Sequence, residues 1–100
     1  MSHPLQSYFP NWLPVEIEDH LDIWRERGAD SLRIRMDRGR LMANFLADPE
    51  CTPEEYDNFR VVVFDCVPML RTIKRKWAEM PAILAAENAA DVAVYRFLFG

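Results

Sequence analysis

SLRIRMDRGRLMANFLA, residues 31–47, can be read as either of two structures, and the choice between them decides the fold. Wound as a helix, it collects Arg33, Asp37, Arg40 and Asn44 on a polar face. The remainder is mostly apolar, interrupted by Arg35 and Arg38. Folded as a hairpin over 31–46, it turns at Arg38-Gly39 and sets Met36 opposite Leu41, Ile34 opposite Ala43 and Leu32 opposite Phe45. Arg33 and Arg35 then share the other side and Asp37 pairs with Arg40, a coherent register. Two observations favour the helix. Arg-Gly is a weaker hairpin turn than Asn-Gly, and LMANFLA loses the alternation a half-buried strand requires.

The C-terminal segment PAILAAENAADVAVYRFLFG follows the same choice. Its alanine-rich first half favours helix. Its β-branched, aromatic end would suit a strand beside the hairpin. As a helix it places Ile83, Ala86, Ala90, Val94 and Phe97 on one face. Both segments helical gives a mainly α protein, a small bundle of four to five helices with an extended N-terminal arm. Both extended gives an α+β fold with a hairpin at 31–46 and a C-terminal strand. The mainly α reading is preferred.

The other boundaries are written in local chemistry. Pro10 and Pro14 hold Phe9 and Leu13 out of the α region, so residues 1–14 read as an extended aromatic and proline arm. A helix can begin at Val15, with Ile17, Leu21 and Trp24 at helical spacing. Its acids (Glu16, Glu18, Asp19, Asp22) precede its arginines (Arg25, Arg27), the order the helix dipole favours. Gly28 is its natural stop. Thr52-Pro53-Glu54-Glu55 carries an N-cap, a proline at the first helical position and a capping-box glutamate. From there Tyr56, Phe59, Val63, Val67, Leu70, Ile73 and Trp77 recur every three or four residues, for a helix about 38 Å long. Pro68 should kink or split it. No internal repeat or linker interrupts the chain, and its 100 residues suit one domain.

Composition narrows the function. Half of the residues are hydrophobic and 28% are charged, a globular balance, and the net charge of −4 argues against general binding to nucleic acid or to a membrane surface. No apolar run is long enough for a membrane span. The sequence MSHPLQ has no basic stretch followed by an apolar run, so no signal peptide is expected. Cys51 and Cys66 form no CxxC unit and stand far in sequence from His3 and His20, which disfavours zinc. A cytoplasmic protein with reduced thiols is the expectation. Ten arginines against two lysines, with abundant alanine, suggest a bacterial or bacteriophage source.

Charge is distributed in blocks. Residues 15–22 and 48–57 carry only acids, 71–76 only bases, and 23–40 holds six arginines against Glu26, Asp30 and Asp37. Acidic helix starts beside basic helix ends account for this without a ligand.

Catalytic motifs are absent. There is no GxGxxG or GxxxxGK loop and no GxSxG elbow. Cys51, at a helix start, could have a lowered thiol pKa, with His20 as its base, but nothing in the sequence brings them together. Glu16, Asp19 and His20 share a turn, yet lack the second motif a helical metal site needs. Asp65, within VVVFDCV, needs a partner if buried, and Arg35, Arg38 and Arg60 are candidates for a salt bridge. No enzyme activity, metal or cofactor is expected.

Twelve aromatic residues are generous for one small core, and both chain ends are rich in them. Such an excess suits a partner surface, where Tyr, Trp and Arg are enriched. The candidate partner-binding residues are Tyr8, Phe9, Trp12, Arg33, Arg35, Arg38, Arg40, Tyr95, Phe97 and Phe99. The expected function is that of a small non-catalytic protein that binds another protein, as accessory subunit, chaperone or adaptor, or as a phage- or plasmid-encoded inhibitor. A homodimer is a variant of that reading. The alternative is a nucleic-acid-binding regulator using the arginines of 25–40, or RTIKRKW beside Trp77.

Overall fold

A computed structural model describes residues 2–64 and 76–100. Four α-helices account for most of these residues: α1 is Pro14–Arg27, α2 is Ala29–Leu46, α3 is Pro53–Phe64 and α4 is Met80–Phe99. Short 3-10 turns occupy Gln6–Tyr8 and Trp77–Glu79. No strand occurs among the described residues, so the hairpin at 31–46 and the C-terminal strand are not formed. The continuation of the third helix toward Trp77, the kink at Pro68, the Asp65 salt bridge and most of RTIKRKW lie outside the described residues.

The ambiguous stretch is helical because its burial has a period near 3.6. Leu32, Gly39 and Met42 are buried, Met36 and Leu46 half-buried. Ile34 and Leu41, which the hairpin would have turned inward, are each about half exposed. Arg33 pairs with Asp30 and Arg40 with Asp37, both across three residues, the spacing that brings side chains together on a helix. The Asp37–Arg40 pair would also form in the hairpin, so that pair alone cannot select between them. Gly39, the hairpin's intended turn, is buried within the helix and costs it about 1 kcal/mol relative to alanine.

The chain divides into two compact units, residues 1–36 with 86–100, and residues 37–85. In the first, Leu5, Ile17, Leu21, Trp24, Leu32 and Val94 form the core, with Phe9, Met36, Ala93, Tyr95 and Leu98 packed on it. In the second, Met42, Tyr56, Met80 and Leu84 are buried, flanked by Phe45, Phe59 and Trp77 among others. Phe45 stacks on Phe59 with centroids 4.5 Å apart, and Trp77 meets Tyr56 edge-on at 5.7 Å. Tyr56 and Phe59 of the third helix therefore face inward as their spacing implies.

Helix ends follow the local rules. Pro14 is itself the first residue of α1, one earlier than its spacing suggested, and Leu13 before it is extended (φ −74°, ψ 154°). The Glu55 amide donates to Thr52 Oγ1 at 3.2 Å, the forward half of the capping box. Glu54 and Glu55 occupy the first turn of α3, and Arg25 and Arg27 the last turn of α1.

The N-terminal segment is not a straight arm. Its prolines keep it out of α-helix, but Gln6–Tyr8 wind into a 3-10 turn. Successive amides close short loops, from Gln6 to His3 O and from Trp12 to Phe9 O. The Gln6 side-chain amide donates to Phe9 O at 2.9 Å and to Trp12 O at 2.7 Å, meeting two carbonyls that have no helix to join.

α1 stops at Gly28, whose amide still donates to Trp24 O and whose backbone lies at φ 88°, ψ 166°. That region is essentially restricted to glycine and differs from the left-handed helical region that asparagine tolerates. A Cβ there would meet no atom within 4 Å, so the conformation and not space is limiting. Gly28→Ala and Gly28→Asn should therefore both lose about 1–3 kcal/mol of stability. Chemical denaturation measures this, and an asparagine variant close to wild type would contradict the assignment.

Candidate functional site

α4 turns a carboxylate toward the interior. In the part of α4 that belongs to the first unit, Ala90 and Val94 are buried, and Asp91 beside them is buried at 9% exposure. A charge in that position requires a hydrogen-bonded partner. Arg35 supplies it: its Nε–H is shared between Oδ1 and Oδ2 of Asp91, each at 3.1 Å. Arg33 reaches α4 as well, donating to the Tyr95 hydroxyl at 2.6 Å, with its guanidinium 5.6 Å from the Tyr95 ring centre. Arg33 and Arg35 leave α2 on opposite sides of Leu32, since two residues span about 200° of helix. Rising numbers on α2 meet falling numbers on α4, so these two segments run antiparallel in the first unit.

The Arg35 guanidinium also lies 6.0 Å from the centre of the Trp24 ring, and that of Arg27 lies 5.1 Å from it. The indole N–H of Trp24 donates to His20 Nε2 at 3.0 Å. His20 therefore presents a lone pair at Nε2, and its neutral form carries the proton on Nδ1. Phe9 and Trp12 close around the imidazole, with ring centroids 5.5 and 5.2 Å away, and stack on each other at 4.8 Å. Burial pushes the His20 pKa below its ordinary value; the Arg35 cation adds to this, Asp91 opposes it and Arg27 reinforces it.

At its beginning the segment is held by the other histidine. His3 Nδ1 accepts the Leu5 amide at 3.0 Å, and Nε2 lies 2.5 Å from Glu18 Oε1. That geometry places the ring proton on Nε2, donating to the carboxylate. The His3 ring also meets Phe97 at 5.7 Å. Between the segment and α4 runs an open groove of about 670 Å³, lined by Leu5, Tyr8, Asn88, Ala89, Val92, Ala93, Arg96 and Phe97. Its floor is apolar and its rim carries one cation and one amide. Tyr8 and Phe97 are each 45% exposed.

The ten candidate residues thus fall into different settings. Phe9 and Trp12 pack in the His20 cluster, Trp12 keeping a partly open face. Arg33, Arg35 and Tyr95 tie α2 to α4, and Arg40 pairs with Asp37. Tyr8 and Phe97 meet at the groove. Arg38 and Phe99 are exposed, with the Phe99 ring 5.8 Å from that of Tyr95. Arg35, a candidate partner for Asp65, is committed to Asp91.

Asp91 and Gln6 had no place in the sequence reading. Asp91 escaped because almost every residue of α4 is apolar or alanine, so periodicity could not choose between neighbouring faces. Of the face expected through Ile83, Ala86, Ala90, Val94 and Phe97, Ala90 and Val94 are buried and Ile83 half-buried, whereas Ala86 and Phe97 are exposed and Leu84 is buried. An acid three residues before a core valine was the available signal.

The chemistry considered for Cys51 and His20 finds no support in their surroundings. Burial raises the Cys51 thiol pKa, as do the Glu55 and Asp48 carboxylates, opposite to the activation a helix start could give. Cys51 belongs to the second unit and His20 to the first. Glu16 and Asp19 are exposed while His20 Nε2 receives the Trp24 indole, and no metal-holding group of three such side chains occurs among the described residues. No helix of the described residues is long and apolar enough to cross a membrane. Comparison of the chain with protein-family models, curated proteins and solved structures returned no match.

Removal of either partner of the Arg35–Asp91 pair should have unequal effects. The Asp91 side chain is 12% exposed and that of Arg35 is 45% exposed. Arg35→Ala leaves a buried carboxylate unpaired and uncovers Trp24, whereas Asp91→Ala leaves an arginine that can turn to water. The expected losses are about 2–3 kcal/mol for Arg35→Ala and about 1 kcal/mol for Asp91→Ala. Equilibrium denaturation of both variants checks the order, and equal losses would refute it.

Proposed function

We propose that this protein has no catalytic role and works by binding another protein at the groove between its N-terminal segment and α4. One observation carries the proposal. Tyr8 and Phe97, each 45% exposed, are the most exposed aromatic side chains among the described residues of the first unit, and both line an apolar groove. Exposed aromatics beside alanine and valine are the composition of interface anchors. The groove suits an amphipathic segment with small or aliphatic side chains on its inner face and a carboxylate near Arg96. An accessory subunit, a chaperone or adaptor, or a phage- or plasmid-encoded inhibitor would all work in this way. A reducing cytoplasmic setting suits the free Cys51 thiol.

The nucleic-acid alternative is less well supported. Arg25, Arg33, Arg35 and Arg40 all face carboxylates, of Asp22, Asp30, Asp91 and Asp37. Local pairing of this kind leaves little uncompensated charge for phosphates.

Affinity capture from native lysate, at two salt concentrations, tests the proposal with three variants. Phe97→Ser and Arg96→Glu should each weaken retention of the captured protein by about tenfold, the effect of one interface anchor. Ile23→Ser, at an exposed position on α1, should not. Retention unaffected by the groove variants would overturn the assignment. Capture of nucleic acid that collapses with salt would transfer it to the arginines.

A further inference from the structure

The chain has two histidines, and both lie where the N-terminal segment meets α1. At His20 the segment's attachment depends on an uncharged ring. Phe9 and Trp12 cover the imidazole, and residues 4–13 bring no charge of their own. The only hydrogen bond described for the ring is one it accepts, from the Trp24 indole. A proton on Nε2 would set donor against donor there. The charged groups that act on the ring are Arg27 from α1, Arg35 from α2 and Asp91 from α4. The acid is already shared with Arg35, which leaves little to balance a third cation. Glu16 and Asp19, on the same turn as His20, are exposed to solvent.

We propose that the N-terminal segment is an acid-released strap, in which protonation of His20 frees residues 4–12 from α1 while the helices remain folded. The sign follows from linkage. Burial is the first cause that lowers the affinity of His20 for its proton, and Phe9 and Trp12 supply part of that burial, so attachment is strongest above the ordinary imidazole value near 6.5. It weakens as the pH falls through the lower value of the attached state. Release removes Leu5 and Tyr8 from the groove and with them one of its walls. Only this last consequence, loss of partner capture in acid, rests on the binding role proposed above.

Hydrogen exchange on the free protein, corrected for the intrinsic effect of pH, provides the test. The amides of Tyr8, Phe9 and Trp12 are closed by local hydrogen bonds that the attached segment protects. Between about pH 7.5 and about pH 5 their protection should fall at least about tenfold, while that of amides near Val94 is retained. His20→Gln keeps an acceptor for the Trp24 indole but cannot take up the proton, and its segment should stay protected at both pH values. Unchanged protection in the wild type, an equal loss in His20→Gln, or simultaneous loss near Val94 would each overturn the proposal. If His20→Gln fails to fold, the wild type decides the matter by NMR. The midpoint of segment release must coincide with the titration of His20 and not with that of His3 or the carboxylates. Because no partner is present, failure of the strap is distinct from failure of the groove as a binding site.

Discussion

Asp91 on the inner face of α4 is the constraint around which the first unit is arranged. A carboxylate among Val94, Ala90 and Leu98 is tolerable only with a cation whose own position is fixed. Arg35 provides that cation, and its guanidinium continues onto Trp24. The indole N–H of Trp24 is directed to His20, and the imidazole supports Phe9 and Trp12. One polar contact between two helices thus extends, through alternating charge and aromatic surface, to the irregular segment before α1. An all-apolar core of the same volume would hold the helices together but would take the Arg35 guanidinium away from the Trp24 ring.

The features legible in the sequence were those set by a few neighbouring residues. Gly28, Pro14 and Thr52 punctuate helices because φ, a missing N–H and a side-chain oxygen act within one turn. The 31–47 stretch was harder because helix and hairpin both satisfied its local pattern; burial of Leu32, Gly39 and Met42 on one side resolves it only in three dimensions. α4 was legible as a helix and its inner face in part, through Ala90 and Val94 but not Leu84 or Asp91, since an alanine-rich segment presents several faces of similar hydrophobicity. The N-terminal segment was legible as non-α but not as folded. Its shape depends on Gln6, whose role emerges only when two carbonyls come within reach of one side-chain amide.

The arginines show how charge counted along the chain differs from charge on the helix surface. Read along the chain, 23–40 is a basic block. Read on the helix surface, most of its arginines sit opposite an acid, either three residues away or on α4. Much of the aromatic excess is consumed in stacking within each unit, and what remains exposed on the first unit includes the pair at the groove, Tyr8 and Phe97.

Gln6 has one further consequence. Its two hydrogen bonds, with the turns closed by Tyr8, Phe9 and Trp12, all lie within the segment itself. Phe9 and Trp12 are stacked within the same piece. Each of these contacts spans at most six residues, while their protection from water comes from the surface they rest on. Re-attachment to α1 therefore has only short loops to close, and short loops carry little closure entropy.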